Sequence, residues 1–310
     1  MAIVRCVECD GNISTRAETC PHCGYPAENY PSIAQSWGIL GIMIGTALFL
    51  VPALVFGALL FGLDFSGMSF GAQILITTLM GTGIPCWIVY RIRKKKTNIS
   101  SFDFTIENPR IIPLIVLVAI PLNLGIAGPL VELVQLGPMP EYFREMMREM
   151  VLLLASDQGL WMFIALVIAA PVLEELIFRG IMLDGLLRIY SPTKAVIVSS
   201  LLFGLIHLNP AQFVGGALVG CFMGWVYVHT RSVMATILIH ASFNLTAFTE
   251  GYFIDLEEAI DMSYAEVLGG WANYVLVVLG SIVVTLGCVF LLDREFKKSA
   301  TVAKDGRGLG

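Results

Sequence analysis

Eight long apolar runs dominate this chain, at about residues 37–63, 68–90, 111–136, 160–178, 194–208, 211–229, 233–249 and 271–292. A helix that crosses a bilayer needs about 20 mostly apolar residues. Within lipid only a helix or a closed barrel satisfies every backbone N–H and C=O, and runs of this length select helices. Of the 310 residues, 56% are hydrophobic and 14% charged, against about 25% charged in soluble domains. The expected fold class is therefore an all-α polytopic membrane protein with about eight transmembrane helices. Only Asn209-Pro210 separates the fifth run from the sixth, which requires either a tight turn or one broken element. The formal net charge is −5 and there is no long basic stripe, so no nucleic-acid partner is expected. The first thirty residues are polar and cysteine-rich, unlike a secretory signal peptide. The Gly308-Leu309-Gly310 end is no prenylation box.

Charge sets the expected orientation. Lysine and arginine concentrate in cytoplasmic loops, and Arg91-Ile92-Arg93-Lys94-Lys95-Lys96 follows the second run. Alternating from that anchor puts Arg188 and Lys194, then Arg231, then Arg294, Lys297 and Lys298 on the same side. The loop 250–270, on the other side, holds Glu250, Asp255, Glu257, Glu258, Asp261 and Glu266 with no lysine or arginine. Both termini are expected in the cytoplasm.

Cys6-x-x-Cys9 and Cys20-x-x-Cys23 form two knuckles, with Gly24 placed for the tight turn after the second. Four thiolates at this spacing suit tetrahedral zinc, and the stretch resembles a short zinc ribbon. A pair of disulfides is the alternative, and it needs an oxidising compartment. On the cytoplasmic side zinc is the expected occupant, structural because no catalytic carboxylate lies nearby. His22 reads as a spacer between better ligands. Cys86, Cys221 and Cys288 sit singly in apolar runs and read as small core residues.

The remaining divisions follow from composition, except that the limits 155–250 are those of the family resemblance given below. Residues 1–28 form the ribbon module, 29–154 the N-terminal helices and loops, and 155–250 a core rich in intramembrane polar residues. Residues 251–298 hold the acidic loop and last helix, and 299–310 form a polar tail expected to be disordered. Within the second division, Tyr142, Phe143, Met146, Met147 and Met150 share one helical face, opposite Glu141, Arg144, Glu145, Arg148 and Glu149. Such a helix can lie in the membrane interface or be a soluble helix packed on the loop.

An ionisable group at mid-membrane costs about 2.5–3.5 kcal/mol on insertion scales and persists only when paired or used. Glu174, Glu175, Arg179, His207, His240 and Asn244 all fall inside apolar sequence. Helical residues four apart share a face, so Glu175 and Arg179 are placed to pair while Glu174 looks elsewhere, free to face a cavity. Pro171 weakens the backbone ladder one turn earlier. His240 and Asn244, again four apart, present an imidazole and a carboxamide together. Singly, each has an innocent reading as interhelical glue or as a surface ion pair. Together they point to a site.

Glu174-Glu175-x-x-x-Arg179, Phe203-x-x-x-His207 and His240-x-x-x-Asn244, in that order on successive apolar runs, resemble the CPBP family. That family includes the type II CAAX prenyl endopeptidases, the Abi proteins, and bacteriocin-processing or self-immunity homologues. The similarity covers about residues 155–250; each motif alone is weak, and the ordered set is specific. The resemblance implies an intramembrane endopeptidase of eight helices. By position it implies Glu174 as the catalytic glutamate, His207 as its partner in activating water, and His240 with Asn244 as the oxyanion pair. Glu175 and Arg179 become supporting residues. The ribbon lies outside the resemblance.

The chemistry is coherent on its own terms. Peptide hydrolysis needs a general base and preorganised donors for the developing oxyanion. Glu174, His207 and His240 could also hold a metal in an open three-ligand site. No His-Glu-x-x-His helix occurs, so metal-free hydrolysis is the expectation and the ribbon zinc the expected cofactor. The expected partners are a membrane-associated peptide or protein, CAAX-like or prenylated substrates included, the bilayer itself, and a protein docking on the ribbon. Short loops and the appended ribbon suggest a prokaryotic cell membrane. The alternative is a non-proteolytic scaffold or self-immunity factor of the same fold. A proton-coupled transporter would bury similar groups, but paired broken helices and an inverted repeat are not evident.

Overall fold

The computed structural model describes residues 3–305 except 7, 15–16, 18, 26–28, 64, 66, 139, 158 and 260–261. A two-stranded ribbon precedes a helical body. Strand β1 (Ile3–Arg5) runs antiparallel to β2 (Asn12–Ser14), with Ile3 opposite Ser14 and Arg5 opposite Asn12. The ribbon has its own small core of Cys6, Ile13 and Cys20, against which Ala17 and Tyr25 pack. It touches the body where the Asn98 carboxamide donates to the Arg5 carbonyl at 2.9 Å.

The body comprises α1 (Ile33–Leu60), α2 (Phe70–Thr97), α3 (Pro109–Leu136), α4 (Glu141–Ser156), α5 (Leu160–Ile189), α6 (Pro192–Leu205), α7 (Pro210–Thr230), α8 (Val233–Phe253) and α9 (Trp271–Asp305). Each apolar run of the sequence corresponds to one of these helices. Among the described residues, six helices (α1, α2, α3, α5, α7 and α9) are long and apolar enough to cross a membrane, and α6 is apolar but shorter. Helix α8 has 21 residues, but His240, Asn244 and Glu250 dilute its apolar character. The chain is thus an integral membrane protein. Its lipid-side character shows in exposed apolar faces, such as Phe49 and Phe56 on α1 and Leu276, Val283 and Phe290 on α9.

Several boundaries move from those read in the sequence. Helix α5 continues eleven residues past its apolar run, to Ile189, because Arg179 and Asp184 find partners inside the bundle. Helix α9 runs through Asp305 instead of ending at a disordered tail from residue 299. Pairs Lys297–Asp293 and Lys298–Glu295, four and three residues apart, support its last polar turns; residues 306–310 lie outside the described set. The Asn209-Pro210 junction is a tight turn. Leu208 adopts φ 53°, and the Asn209 side chain accepts from the backbone N–H groups of Ala211 (2.9 Å) and Gln212 (3.2 Å), starting α7 as a separate helix.

The central element is α5, whose Ile177, Phe178, Ile181, Met182, Leu183 and Leu186 are buried in the main apolar core. Helices α6 and α7 lie against it and against each other at close range. A Cβ on Gly204 would sit 2.5 Å from the Phe213 carbonyl oxygen, so only glycine permits this approach. The amphipathic α4 packs Met147 on Ala211, with Val131, Val134 and Phe143 around it, while Tyr142 stays exposed. Part of its apolar face is therefore committed to the protein.

Candidate active site

Helix α5 changes pitch on both sides of its acidic pair. π-helical turns cover Ile164–Ala169 and Leu176–Leu183, and a short α segment, Ala170–Glu175, lies between them with Pro171 in its first turn. A proline lacks an N–H, so it sits most easily where the ladder is already shifting. Single π turns inside helices frequently mark functional sites.

Glu175 is fully buried at the end of that α segment. Its Oε1 accepts from Arg179 Nη1 at 2.8 Å and bonds His240 Nδ1 at 3.0 Å. Arg179 is anchored twice more: its Nη2 donates to the Gly220 carbonyl at 3.2 Å, and its guanidinium lies 4.6 Å from the Phe203 ring centre. Glu175 Oε2 and Arg179 Nε have no hydrogen-bond partner among the described residues. The three charged or polar groups come from α5 and α8, and α7 supplies the carbonyl.

The partners assign the histidine tautomers. An ionised carboxylate only accepts, so His240 Nδ1 carries a proton toward Glu175. His207 Nδ1 faces the carbonyls of Phe203 (3.1 Å) and Gly204 (3.3 Å), and so also carries a proton. In both rings Nε2 is the atom left for chemistry. Phe203 stands edge-on to both imidazoles, at 5.6 Å from His207 and 5.4 Å from His240, and to Phe178 at 5.1 Å. Asn244, one turn beyond His240, donates from Nδ2 to the Leu166 carbonyl at 2.8 Å, within the first π turn of α5. A carboxamide nitrogen has two N–H groups, so a second donor remains. Glu174 is half-buried and makes no hydrogen bond or ion pair among the described residues.

The structure thus joins Glu175, Arg179 and His240 directly. It places His207 against the same phenyl ring as His240, and keeps Glu174 out of the ion-paired group. The link from Glu175 to His240, the Phe203 ring and the Gly220 carbonyl were not foreseen from the sequence. A usable signal existed for the last: Gly216, Gly220 and Gly224, four apart on α7, form the small-residue stripe that lets helices approach closely.

The cysteines form a separate centre. Their ligand atoms all lie within 4.8 Å of one another, with Cys6–Cys23 and Cys9–Cys20 sulfurs at 3.7 Å and 3.6 Å. Tetrahedral zinc with Zn–S bonds of about 2.3 Å requires S···S distances of about 3.8 Å, so the four residues fit the ion. Burial opposes ionisation at Cys20, but the N–H groups of His22 and Cys23 and the neighbouring thiols outweigh it and lower its pKa to about 7. The Tyr25 N–H favours the Cys23 thiolate, yet burial and the other three sulfurs push that thiol up to about 12. Four thiolates crowd one another unless a cation sits among them. His22 Nε2 lies 3.1 Å from the Asn12 carbonyl, engaged outside the sulfur cluster. Among the described residues, no other group of three or more histidine, cysteine or acidic donors converges in this way.

The fold and site define a polytopic membrane protein with a buried carboxylate–guanidinium–imidazole cluster, capped by a four-cysteine ribbon. Residues 156–246 match the family model described as type II CAAX prenyl endopeptidase Rce1-like, and residues 2–27 match a zinc-ribbon domain. The chain therefore carries an Rce1-like CAAX protease family domain, a peptidase domain, behind an N-terminal zinc ribbon. All six polar positions of the site fall within the first match. No curated protein and no solved structure matches the chain.

Proposed function

We propose that the protein is an intramembrane endopeptidase that hydrolyses a peptide bond in a membrane-associated, prenylated or CAAX-like substrate without a catalytic metal. The bond between His240 and the buried Glu175 carries this reading, because it fixes one imidazole beside Asn244 with Nε2 presented. Water attacks the scissile carbonyl carbon as Glu174 takes its proton and His207 Nε2 accepts its hydrogen bond. The oxyanion is held by His240, protonated at Nε2 against the Glu175 carboxylate, and by the second N–H of Asn244. Glu174 then returns the proton to the amide nitrogen as the C–N bond breaks. Glu175 and Arg179 position His240. In this reading eight helices cross the prokaryotic cell membrane with both termini in the cytoplasm, and the ribbon zinc is structural, offering a protein partner a docking face. Supporting the orientation, Arg93, Arg188 and Arg231 gather at one end of the bundle around Asp184.

The test is cleavage of membrane-reconstituted peptides by purified wild type and Glu174→Gln. General acid–base catalysis contributes about 10²–10⁴-fold, so the variant should lose at least that much. Cleavage at the wild-type rate would overturn the mechanism, whereas no cleavage by either protein together with a phenotype indifferent to Glu174 would favour a non-proteolytic scaffold.

A further inference from the structure

At the end of the bundle nearest the ribbon, three guanidiniums from three helices meet one carboxylate. Asp184 lies 3.4 Å from Arg93, 2.8 Å from Arg188 and 3.3 Å from Arg231. They border a cleft of about 1230 Å³, lined on its other side by the ribbon residues Arg5 and Asn12 and by the loop that follows α2. The described lining residues include four arginines (Arg5, Arg93, Arg188, Arg231) and two aspartates (Asp103, Asp184); Arg5 is itself paired with Asp10 at 3.6 Å, which leaves an excess of one positive charge.

The deepest of these groups is held by long polar contacts and a ring. Arg93 is 4% exposed; its contacts to Asp184 and to the Ser101 carbonyl are both 3.4 Å, and its guanidinium lies 5.0 Å from the Phe102 ring centre. Charge-assisted bonds from a guanidinium usually measure about 2.7–2.9 Å, and burying a cation without close partners is costly. Arg231 departs from the local norm in a second way. It caps α7 with φ 56°, a left-handed position that glycine fills at lower cost.

We infer that this cleft binds a phosphate-bearing ligand. Planar guanidiniums match the paired oxygens of phosphate, and Asp184 occupies the same forks, so an incoming anion competes with its carboxylate. The volume exceeds the roughly 300–1,000 Å³ of ordinary ligand sites, so it leaves room for the organic part of a phosphate ester beside the anion. Two sources share this chemistry: an anionic phospholipid headgroup reaching past the helix ends, or a soluble organic phosphate. Either would bridge the ribbon to α5, on which Asp184 follows Arg179 by five residues.

The experiment uses the full-length zinc-loaded protein in phosphatidylcholine nanodiscs, with and without phosphatidylglycerol, and titrates inorganic pyrophosphate while reading the thermal midpoint. A ligand that binds only the folded state raises that midpoint by mass action. Stabilisation by pyrophosphate in both membranes assigns a soluble ligand. Stabilisation by phosphatidylglycerol, with no further response to pyrophosphate, assigns a lipid headgroup. In either case Arg231→Gln should weaken binding about tenfold or more, the size of one lost charge-assisted bond. Asp184→Asn removes the competing carboxylate and should tighten it, so the two variants move in opposite directions. A wild type indifferent to both probes, or variants that respond as wild type does, would overturn the assignment.

Discussion

Neutralising Glu175 tests whether the buried cluster is held by charge. Its side chain is 0% exposed and that of Arg179 1%, with 2.8 Å between them. Charge centres about 4 Å apart at an effective dielectric near 20 attract by about 4 kcal/mol, in line with the 3–5 kcal/mol lost when one partner of a buried pair is removed. In Glu175→Gln the guanidinium keeps the Gly220 carbonyl and the Phe203 ring, contacts that offset about 1 kcal/mol. The expected cost is about 3 kcal/mol, read from equilibrium unfolding in mixed micelles. Arg179→Met alone strands the carboxylate and should cost as much. The double variant has neither buried charge and should be more stable than either single one, because apolar replacement of a whole buried pair is often neutral. Single costs that simply add would refute the charge argument. The same variant separates the roles of Glu175 toward His240. A glutamine oxygen still accepts from Nδ1, so the tautomer survives while the counter-charge is lost. Cleavage should fall about 10–100-fold, the value of one hydrogen bond to a charged group.

Gly204→Ala forces a methyl to within 2.5 Å of the Phe213 carbonyl oxygen and should cost about 1–3 kcal/mol in the same unfolding assay. Gly41→Ala, where nothing lies within 4 Å, should instead be neutral or stabilising, by up to about 1 kcal/mol. Asp157 accepts from the N–H groups of Gly71 at 2.7 Å and Gly159 at 3.0 Å, which hold its carboxyl below the usual carboxylate range. A depressed folded-state pKa stabilises above the unfolded value and is lost as pH falls through the folded one; Asp157→Asn should therefore abolish a loss of thermal stability confined to the acid side of the carboxylate range. Replacing all four ribbon cysteines by serine should remove the bound zinc, measured by metal analysis, and leave Glu174-dependent cleavage intact. Stoichiometric zinc retained in that variant would place a metal in the membrane core and refute the metal-free mechanism.

What could be read from the sequence was mostly local. The Cys-x-x-Cys knuckles come together within a stretch of eighteen residues, and Glu175 with Arg179 needs only one helical turn to meet. The eight apolar runs map onto helices because hydrophobic length is a property of the run itself. The bond from Glu175 to His240 spans 65 residues and depends on how α5 and α8 pack, which no periodicity records. Phe203 is named by the Phe203-x-x-x-His207 motif, but an aromatic residue in apolar sequence carries no sign that Arg179, His207 and His240 gather round its ring. The end of α5 was misplaced for a related reason: Asp184 and Arg188 dilute the apolar pattern, and only the three arginines converging from different helices make that polar turn part of the bundle.

The pitch changes in α5 were also invisible, and they bear directly on the site. A π turn and an α turn have the same apolar composition but direct successive side chains differently, since the π bond spans five residues instead of four. Glu174 and Glu175 occupy the α segment between two such turns. The turn before them supplies the Leu166 carbonyl that holds Asn244, and the turn after them carries Arg179 back to Glu175. Asn244 and His240 are thus both tethered to α5 from α8, on opposite sides of Glu174. A shift of one residue in either turn would rotate the side chains beyond it by about 100°, breaking a tether and displacing the buried apolar face at the same time. The constraint on this helix is therefore the joint setting of two polar anchors and one apolar face.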